Sequence, residues 1–193
     1  MIDIDLEKWD RDGYLVLPNF IEEADAEKLR QRATELIDAF EPVGTPVLLN
    51  SPEYEDYLLD AGGDIRFFLE PEAVTDDGKL LRPKHQAVGK IGRALHELDP
   101  VFNAFSHTDR LDQIVRTLGC ADPLLLQSQY VFKQPGIGQA FQPHQDTTYM
   151  VTEPPSVIGL WFALEDADTD NACLHVLPGN HKAPLRARFR RDD

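Results

Sequence analysis

Gln142-Pro143-His144-Gln145-Asp146-Thr147-Thr148-Tyr149 is the stretch from which the fold and chemistry of this sequence can be argued. In an extended strand successive side chains point to opposite faces, so His144 and Asp146 project from the same face. One imidazole and one carboxylate can then bind the same metal ion. Two histidines and one carboxylate are the typical ligands of non-haem Fe(II) oxygenases, so the pair predicts two of the three protein ligands. The alternative is that the His-x-Asp triplet binds no metal and forms a solvated turn or a helix N-cap.

Strand-like segments flank this stretch on both sides. Residues 124–132 are largely apolar and lead into a Gly/Pro-rich turn at 135–138. Residues 156–164 form a second apolar run with β-branched and aromatic residues, followed by an acidic turn at 165–171. A third short strand is predicted at residues 173–177. Consecutive strands separated by turns are typical of a β-sandwich or barrel.

The first 120 residues have a mainly helical pattern. Helices are predicted at residues 5–12, from Phe20 to Pro42, at 87–98 and at 109–118. Residues 41–83 are interrupted by prolines and glycines and predict a loop-rich segment. It is interpreted as a lid or substrate-binding loop, or alternatively as a decorative insertion. The sequence therefore predicts one domain, residues 1–193, with a helical and loop-rich part (1–120) before the β part (121–193).

Composition narrows the class of protein. A chain of 193 residues with 42% hydrophobic content can form one domain with a sizeable core. The formal net charge of −15 disfavours partners such as nucleic acid and anionic membranes. Cys120 and Cys173 lack metal-binding spacing and are interpreted as buried structural thiols in a reducing compartment. The opening residues lack the basic and apolar regions of a signal peptide, and no apolar run approaches 18 residues, so a cytoplasmic protein is expected.

A series of motifs, in the same order along the chain, resembles the phytanoyl-CoA dioxygenase family. The motifs are Gln127–Pro135, Pro143–Asp146, Thr152–Pro154, Gly159–Ala167, Asn171–Leu174 and Leu177–His181. Residues 9–20 resemble the opening of the family, and residues 65–68 resemble a later part of it. Together these motifs are far more specific than the His-x-Asp triplet.

The resemblance implies a fold that is mainly β with N-terminal helices, namely a double-stranded β-helix of the jelly-roll, cupin-like type. It implies an Fe(II)- and 2-oxoglutarate-dependent dioxygenase that hydroxylates a small organic substrate with O2, releasing succinate and CO2. His144 and Asp146 would bind the iron, and the presence of Asp146 favours hydroxylation over halogenation. Gln129 and Trp161 match positions that line the cosubstrate pocket, although Gln129 is equally an outward strand residue and Trp161 a core tryptophan.

The remaining histidines are weaker candidates for an iron ligand. His96 and His107 fall among the helices and are interpreted as packing or surface residues, and His181 matches a turn. The pattern leaves open whether His175 faces the barrel or solvent. One cluster of polar residues gathers positive charge that could meet an anion or form a solvated helix face: Lys84, His85, Gln86, Lys90 and Arg93.

The family implies two further residues for which the sequence after His181 offers no match. They are a distal iron-binding histidine and an arginine that binds 2-oxoglutarate, whereas residues 186–193 form a basic tail. A domain incomplete at its C-terminus is therefore expected, with an open sheet edge through which copies could self-associate. The alternative function is a catalytically inactive β-helix module that binds a small acid or another chain. The acidic composition favours a small molecule over a CoA ester as the substrate.

Overall fold

A computed structural model describes residues 3–42, 47–49, 51, 53–59 and 63–188. Seven α-helices and three β-strands are assigned within these residues: α1 (Leu6–Asp12), α2 (Glu23–Ala39), α3 (Glu53–Leu59), β1 (Ile65–Leu69), α4 (Lys84–Ala87), β2 (Val88–Arg93), α5 (Leu95–Leu98), α6 (Pro100–Ser106), α7 (Asp109–Thr117) and β3 (Ser128–Val131). Single turns of 3-10 helix lie at Pro71–Ala73, Asp146–Thr148 and Asn180–Lys182. No helix in the described ranges is long and apolar enough to cross a membrane.

The three strands form one antiparallel sheet in the order β1-β2-β3. Phe67 is paired with Ile91, and Ile91 with Tyr130, so one row of side chains crosses the sheet on a single face. Helix α2 covers this sheet with its apolar stripe, whose buried residues in the main core are Leu29, Ala33 and Ile37. Burial of this stripe is the main source of stability for α2, because a lone helix of this length is marginal in water.

The other face of β1 carries a smaller cluster. Phe68 is fully buried and its ring contacts the rings of Tyr54 and Tyr57 from α3, with centroids 4.9 and 5.3 Å apart. Leu49 is buried in the same cluster. The segment predicted to be loop-rich therefore contributes a helix and an edge strand to the packed structure. Its residues 43–46, 50, 52 and 60–62 lie outside the described residues.

Three of the predicted helices are confirmed, at α1, α2 and α7. Helix α1 begins where the Asp5 carboxylate accepts the Lys8 backbone N–H at 2.8 Å, and it ends at Gly13, which has a left-handed φ of 79°. Residues 128–131 confirm the central part of the strand predicted at 124–132. Local signals therefore suffice where a cap and an amphipathic stripe coincide.

The prediction of a helix at residues 87–98 is wrong. Residues 88–93 form the central strand β2, and α4 and α5 are single turns on either side of it. The apolar spacing of this segment fits a helix, but Gly89 and Gly92 weaken one. Both glycines are buried at points where neighbouring segments approach closely, and a Cβ on Gly89 would overlap the Glu70 carboxylate. Pairing with β1 and β3 therefore overrides the local periodicity.

The strands predicted at 156–164 and 173–177 are not formed, and the described residues contain more helix than strand. Within residues 156–164 burial alternates only from 161 to 164, where Phe162 and Leu164 are half-buried while Trp161 and Ala163 are exposed. The Phe162 ring contacts Phe105 edge-on at 5.0 Å between centroids. In the described part of the chain, however, no strand pairs with either segment, so neither becomes part of a sheet.

The two cysteines are free and half-buried, so they are less buried than the sequence predicted.

Asn171, which the sequence places in a turn, accepts the Asp168 N–H at 2.8 Å and donates to the Asp166 carbonyl at 2.6 Å. These side-chain bonds confirm the acidic turn. Arg186 and Arg188 of the basic tail are described and exposed, whereas Arg190 and Arg191 lie outside the described residues.

Candidate metal centre

The conformation of residues 145–148 brings the side chains of His144 and Asp146 together. Gln145 is extended, with φ −104° and ψ 130°, and a 3-10 turn begins at Asp146. The extended residue between them places both side chains on one side of the backbone. His144 Nε2 lies 3.4 Å from Asp146 Oδ1. The two side chains therefore lie close together, although residues 142–149 do not form the extended strand from which their common face was predicted.

The imidazole of His144 is oriented by the backbone. Its Nδ1 lies 2.8 Å from the carbonyl oxygen of Gln142, so the Nδ1–H donates there and Nε2 is directed to the Asp146 side. Metal-binding histidines commonly donate their other ring N–H to a carbonyl in this way, which fixes the tautomer and the ring orientation. The Tyr149 ring meets the imidazole edge-on, with centroids 5.8 Å apart.

The pair fits two positions of a metal site. Ligand bonds of about 2.1 Å that meet at a right angle place two donor atoms about 3 Å apart. The observed 3.4 Å between His144 Nε2 and Asp146 Oδ1 is close to that separation. The two side chains are 43% and 56% exposed, so an ion can reach them from solvent. Among the residues that the structure describes, no group of three or more His, Cys, Asp or Glu side chains could hold a metal ion.

His181 and His175 have contacts away from the pair. His181 Nε2 donates to the backbone carbonyl of Asp10 at 3.1 Å, which ties the turn after residue 177 to helix α1. A Cβ on Gly13 would overlap the His181 ring, so the ring packs directly on the end of that helix. His175 is exposed, and its Nε2 lies 3.9 Å from the Cys173 thiol. Its orientation, which the sequence left open, is therefore toward solvent.

His96 and His107 also have their contacts away from His144 and Asp146. His96 is 3% exposed, and its Nδ1 lies 2.8 Å from Ser128 Oγ. His107 follows α6 directly and is exposed, and its Nδ1 lies 3.0 Å from the carbonyl of Asn103 in that helix. They are a packing residue and a surface residue, respectively, as their positions in the sequence predicted.

Gln129 and Trp161 are both exposed. Gln129 lies on β3 opposite Gly92, and Trp161 is 57% exposed, which rules out the alternative of a core tryptophan. The segment that carries Trp161 passes beside the candidate ligands, because a Cβ built on Gly159 would lie 3.5 Å from Asp146 Oδ2. Trp161 is therefore two residues from the point where this segment adjoins the carboxylate.

The predicted cluster of positive charge is divided among separate contacts. Lys84 Nζ donates to the Asp38 and Phe40 carbonyls at the end of α2, at 2.8 and 2.7 Å. His85 Nε2 lies 2.9 Å from Asp38 Oδ1. Lys90 is only 4% exposed, contacts the Tyr54 hydroxyl and lies over two aromatic rings of the smaller cluster. The side chains do not form a single solvated helix face.

The sequence reasoning missed the contribution of Gln142. Its part in the site is the backbone carbonyl that orients His144. Every residue type carries a carbonyl, so no residue identity at this position could have predicted the contact.

Comparison with known proteins identifies a family and several relatives. A profile of the family Phytanoyl-CoA dioxygenase (PhyH) matches residues 9–193. "Phytanoyl-CoA dioxygenase 1" from Oryza sativa subsp. japonica is 41% identical over 197 residues, covering 100% of this chain and 69% of the relative. "Phytanoyl-CoA dioxygenase" from Arabidopsis thaliana is 40% identical over 184 residues, covering 94% and 65%. "Phytanoyl-CoA dioxygenase domain-containing protein 1" from Danio rerio is 37% identical over 199 residues, covering 98% and 68%. The chain thus spans about two thirds of the length of these relatives.

Proposed function

The chain belongs to the phytanoyl-CoA dioxygenase family, and from that premise we propose that it carries the iron-binding pair of an Fe(II)- and 2-oxoglutarate-dependent dioxygenase. The proposed reaction hydroxylates a small organic substrate. One O2 is consumed, one oxygen atom enters the substrate C–H bond, and 2-oxoglutarate is converted to succinate and CO2. Family membership supports an oxygenase, and the geometry of His144 and Asp146 supports the metal.

The fold proposed for the active protein is a double-stranded β-helix. The family has a cupin-like fold, and the antiparallel sheet β1-β2-β3 supports a β-helix as its starting sheet. Residues 156–164, with which no strand pairs in the described residues, would supply a further strand when a partner strand is present. We therefore propose a mainly β architecture for the active domain.

The observation that carries the proposal is the convergence of His144 Nε2 and Asp146 Oδ1 at 3.4 Å, with the opposite ring nitrogen held by Gln142. Bound ferrous iron supplies the redox chemistry that couples O2 and 2-oxoglutarate to oxidation of a C–H bond. His144 contributes a neutral imidazole donor, and Asp146 contributes a carboxylate that lowers the net charge of the centre. A complete triad requires a third ligand, which the described residues do not place beside this pair.

Gln129 and Trp161 are proposed to line the pocket for 2-oxoglutarate. The Gln129 side-chain amide can donate a hydrogen bond to a carboxylate. The Trp161 segment passes beside Asp146, which supports a position for the indole at the edge of the site. Both side chains are exposed and therefore accessible to a ligand.

A first prediction follows for metal and cosubstrate binding. Anaerobic addition of Fe(II) and 2-oxoglutarate is expected to produce a weak charge-transfer band at roughly 500 nm, which is a property of this cofactor chemistry. The band should disappear in His144→Ala and persist in His107→Ala, a matched change of an exposed histidine outside the pair. An unchanged band in His144→Ala would contradict the assignment of the pair. A folded wild-type protein without the band would mean that the iron site needs a third ligand that the described residues do not supply.

The second candidate function is a catalytically inactive module that binds a small acid or another chain. The observation in its favour is that the two ligands lack a third donor within the described residues. The two functions differ in their products. A dioxygenase releases succinate from 2-oxoglutarate in an Fe(II)- and O2-dependent manner, whereas a binding module retains 2-oxoglutarate unchanged.

The distribution of charge supports a small substrate over a CoA ester. The phosphates of CoA are bound most readily by Lys and Arg side chains. Many of these side chains in the described residues are instead paired with carboxylates, including Lys8, Arg11, Lys28, Arg30, Arg32, Lys79, Arg116 and Lys182. Comparing succinate release with a free acid and with its CoA thioester would distinguish the two substrate classes.

A further inference from the structure

The side chain of Gln145 lies between the two candidate ligands in sequence but points to a different partner. Its Nε2 donates to the carbonyls of Asn180 and Ala183, at 3.2 and 3.4 Å. Its Oε1 accepts the backbone N–H of Arg186 at 3.3 Å. The side chain is half-buried, so these bonds are partly shielded from water. One glutamine thus uses both ends of its amide to bind a single segment, residues 180–186.

That segment is itself attached to the first helix. Gly179 N–H donates to the Asp12 carbonyl at 2.8 Å. Lys182 Nζ forms an ion pair with Asp10 Oδ2 at 2.9 Å, next to the His181 contact with the Asp10 backbone. Residues 179–186 therefore bridge α1 and the stretch that carries His144 and Asp146.

The position of Gln145 makes these bonds relevant to the metal pair. Because residue 145 is extended, its side chain leaves the backbone opposite those of His144 and Asp146. Bonds on this opposite side restrain rotation of the backbone between the two ligands. The Gln145 carbonyl also accepts the Thr148 N–H at 2.9 Å and closes the turn that begins at Asp146. No other side chain between His144 and Asp146 is available to do this, since Gln145 alone separates them.

We propose that Gln145 is a positioning residue that holds His144 and Asp146 at the separation a metal ion requires, by hydrogen-bonding through its amide to residues 180–186. This inference rests on the proposed function, because it assigns the pair to a metal. It adds that the segment after residue 179 acts on the metal centre without providing a ligand. Groups that orient metal ligands typically change metal affinity about 10- to 100-fold when they are removed.

The first test measures the metal-free protein by hydrogen exchange. In Gln145→Ala, the amides of Thr148, Tyr149 and Met150 are expected to exchange about fivefold faster than in the wild type, because the turn that protects them loses its side-chain support. Exchange in α2 should stay the same, which shows that the domain is folded. Gln113→Ala, an exposed glutamine on α7, is the matched control and should exchange like the wild type. Unchanged exchange in Gln145→Ala would overturn the inference.

The second test measures the affinity for Mn²⁺ alone, from the electron paramagnetic resonance signal of the free ion. Gln145→Ala is expected to bind about tenfold more weakly than the wild type and Gln113→Ala. Gln145→Glu has nearly the same size but places a carboxylate against the Asn180 and Ala183 carbonyls, so it should also bind weakly. Wild-type affinity in Gln145→Glu would mean that only the size of the side chain matters, and the inference would fail.

A His144→Ala variant separates failure of this inference from failure of the proposed function. If His144→Ala binds Mn²⁺ as well as the wild type, the pair does not hold the metal, and both the proposed function and the inference are overturned. If His144→Ala loses binding while Gln145→Ala retains full affinity, the proposed function survives and only the positioning role of Gln145 is overturned. Loss of affinity in both, with faster exchange in Gln145→Ala, supports both.

Discussion

Glu70 is a buried carboxylate outside the candidate metal centre. It is 2% exposed, lies against Gly89 in the central strand, and accepts the Gln139 N–H at 3.3 Å. Burial raises its pKa above the ordinary value, and the Gln139 N–H and the positive charge of Lys133 oppose that shift only in part. The folded protein therefore binds a proton at this site more tightly than the unfolded chain does.

This raised pKa predicts how stability depends on pH. Where the native state binds more protons than the unfolded state, the free energy of unfolding falls as pH rises. The contribution of Glu70 is present below its unfolded pKa and is lost as pH increases through the folded value. Glu70→Gln should therefore gain stability relative to the wild type when the pH rises from 4 to 7. The free energy of unfolding of both proteins is measured by urea unfolding at the two pH values. Glu153→Gln, an exposed control, should show the same difference from the wild type at both. A pH-independent effect of Glu70→Gln would contradict the prediction.

At the scale of elements, Asp99 joins two helices. Its carboxylate accepts the backbone N–H groups of Val101 and Phe102 at the start of α6, at 3.0 and 3.1 Å. The other oxygen of the carboxylate accepts Arg32 Nε of α2 at 2.6 Å, and Asp99 is 1% exposed. One side chain is therefore both the cap of α6 and half of an ion pair between the helices.

Removal of this carboxylate should destabilise the domain strongly. Asp99→Ala is expected to lower the free energy of unfolding by about 2–4 kcal/mol, because a cap is lost and Arg32 loses its buried partner. Asp99→Asn retains an acceptor for the cap and should lose less. Asp5→Ala removes the exposed cap of α1 and should cost only about 0.5–1 kcal/mol. Equal losses in Asp99→Ala and Asp5→Ala, in chemical denaturation, would show that the ion pair between Asp99 and Arg32 contributes nothing.

Elements could be predicted from the sequence where local signals decide them. Helices α1, α2 and α7 have caps, breakers or amphipathic stripes that need no knowledge of the rest of the chain. Strand β2 could not be predicted, because its apolar residues also have helical spacing. Its conformation depends on pairing with β1 and β3, which are distant in sequence. The strand predicted at residues 156–164 is not formed, because no strand in the described residues pairs with this segment.

At the scale of the molecule, only the identities of the two candidate ligands could be predicted from the sequence. His144 and Asp146 could be found because their residue types and spacing carry the chemistry. The contacts that hold these two side chains could not be predicted. Gln142 contributes a backbone carbonyl, which every residue has, and Gln145 binds a segment about 35 residues later through tertiary packing. Glu70 and Asp99 likewise acquire their properties from burial, which a single acidic residue in a sequence does not indicate.

The surface of the whole chain combines high negative charge with exposed apolar side chains. The net charge is −15, which favours repulsion between copies at low salt. Several large apolar residues are nevertheless more than half exposed in the part from residue 124 onward: Leu124, Leu126, Tyr149, Trp161, Leu174 and Leu177. Exposed apolar residues concentrated in one part of a chain promote association once charge repulsion is screened.

Self-association is therefore predicted to depend on salt. In sedimentation velocity, the weight-average mass should rise as NaCl increases from about 20 to about 500 mM, because the Debye length falls severalfold over this range. Leu124→Ser combined with Leu126→Ser should reduce the association, since these side chains are 79% and 60% exposed next to strand β3. Val16→Ser, at a 70% exposed position in the N-terminal part, is the matched control and should associate like the wild type. A mass that falls with added salt would instead show that contacts between charged groups hold the copies together, and a constant monomer mass would show that the exposed apolar residues do not drive association.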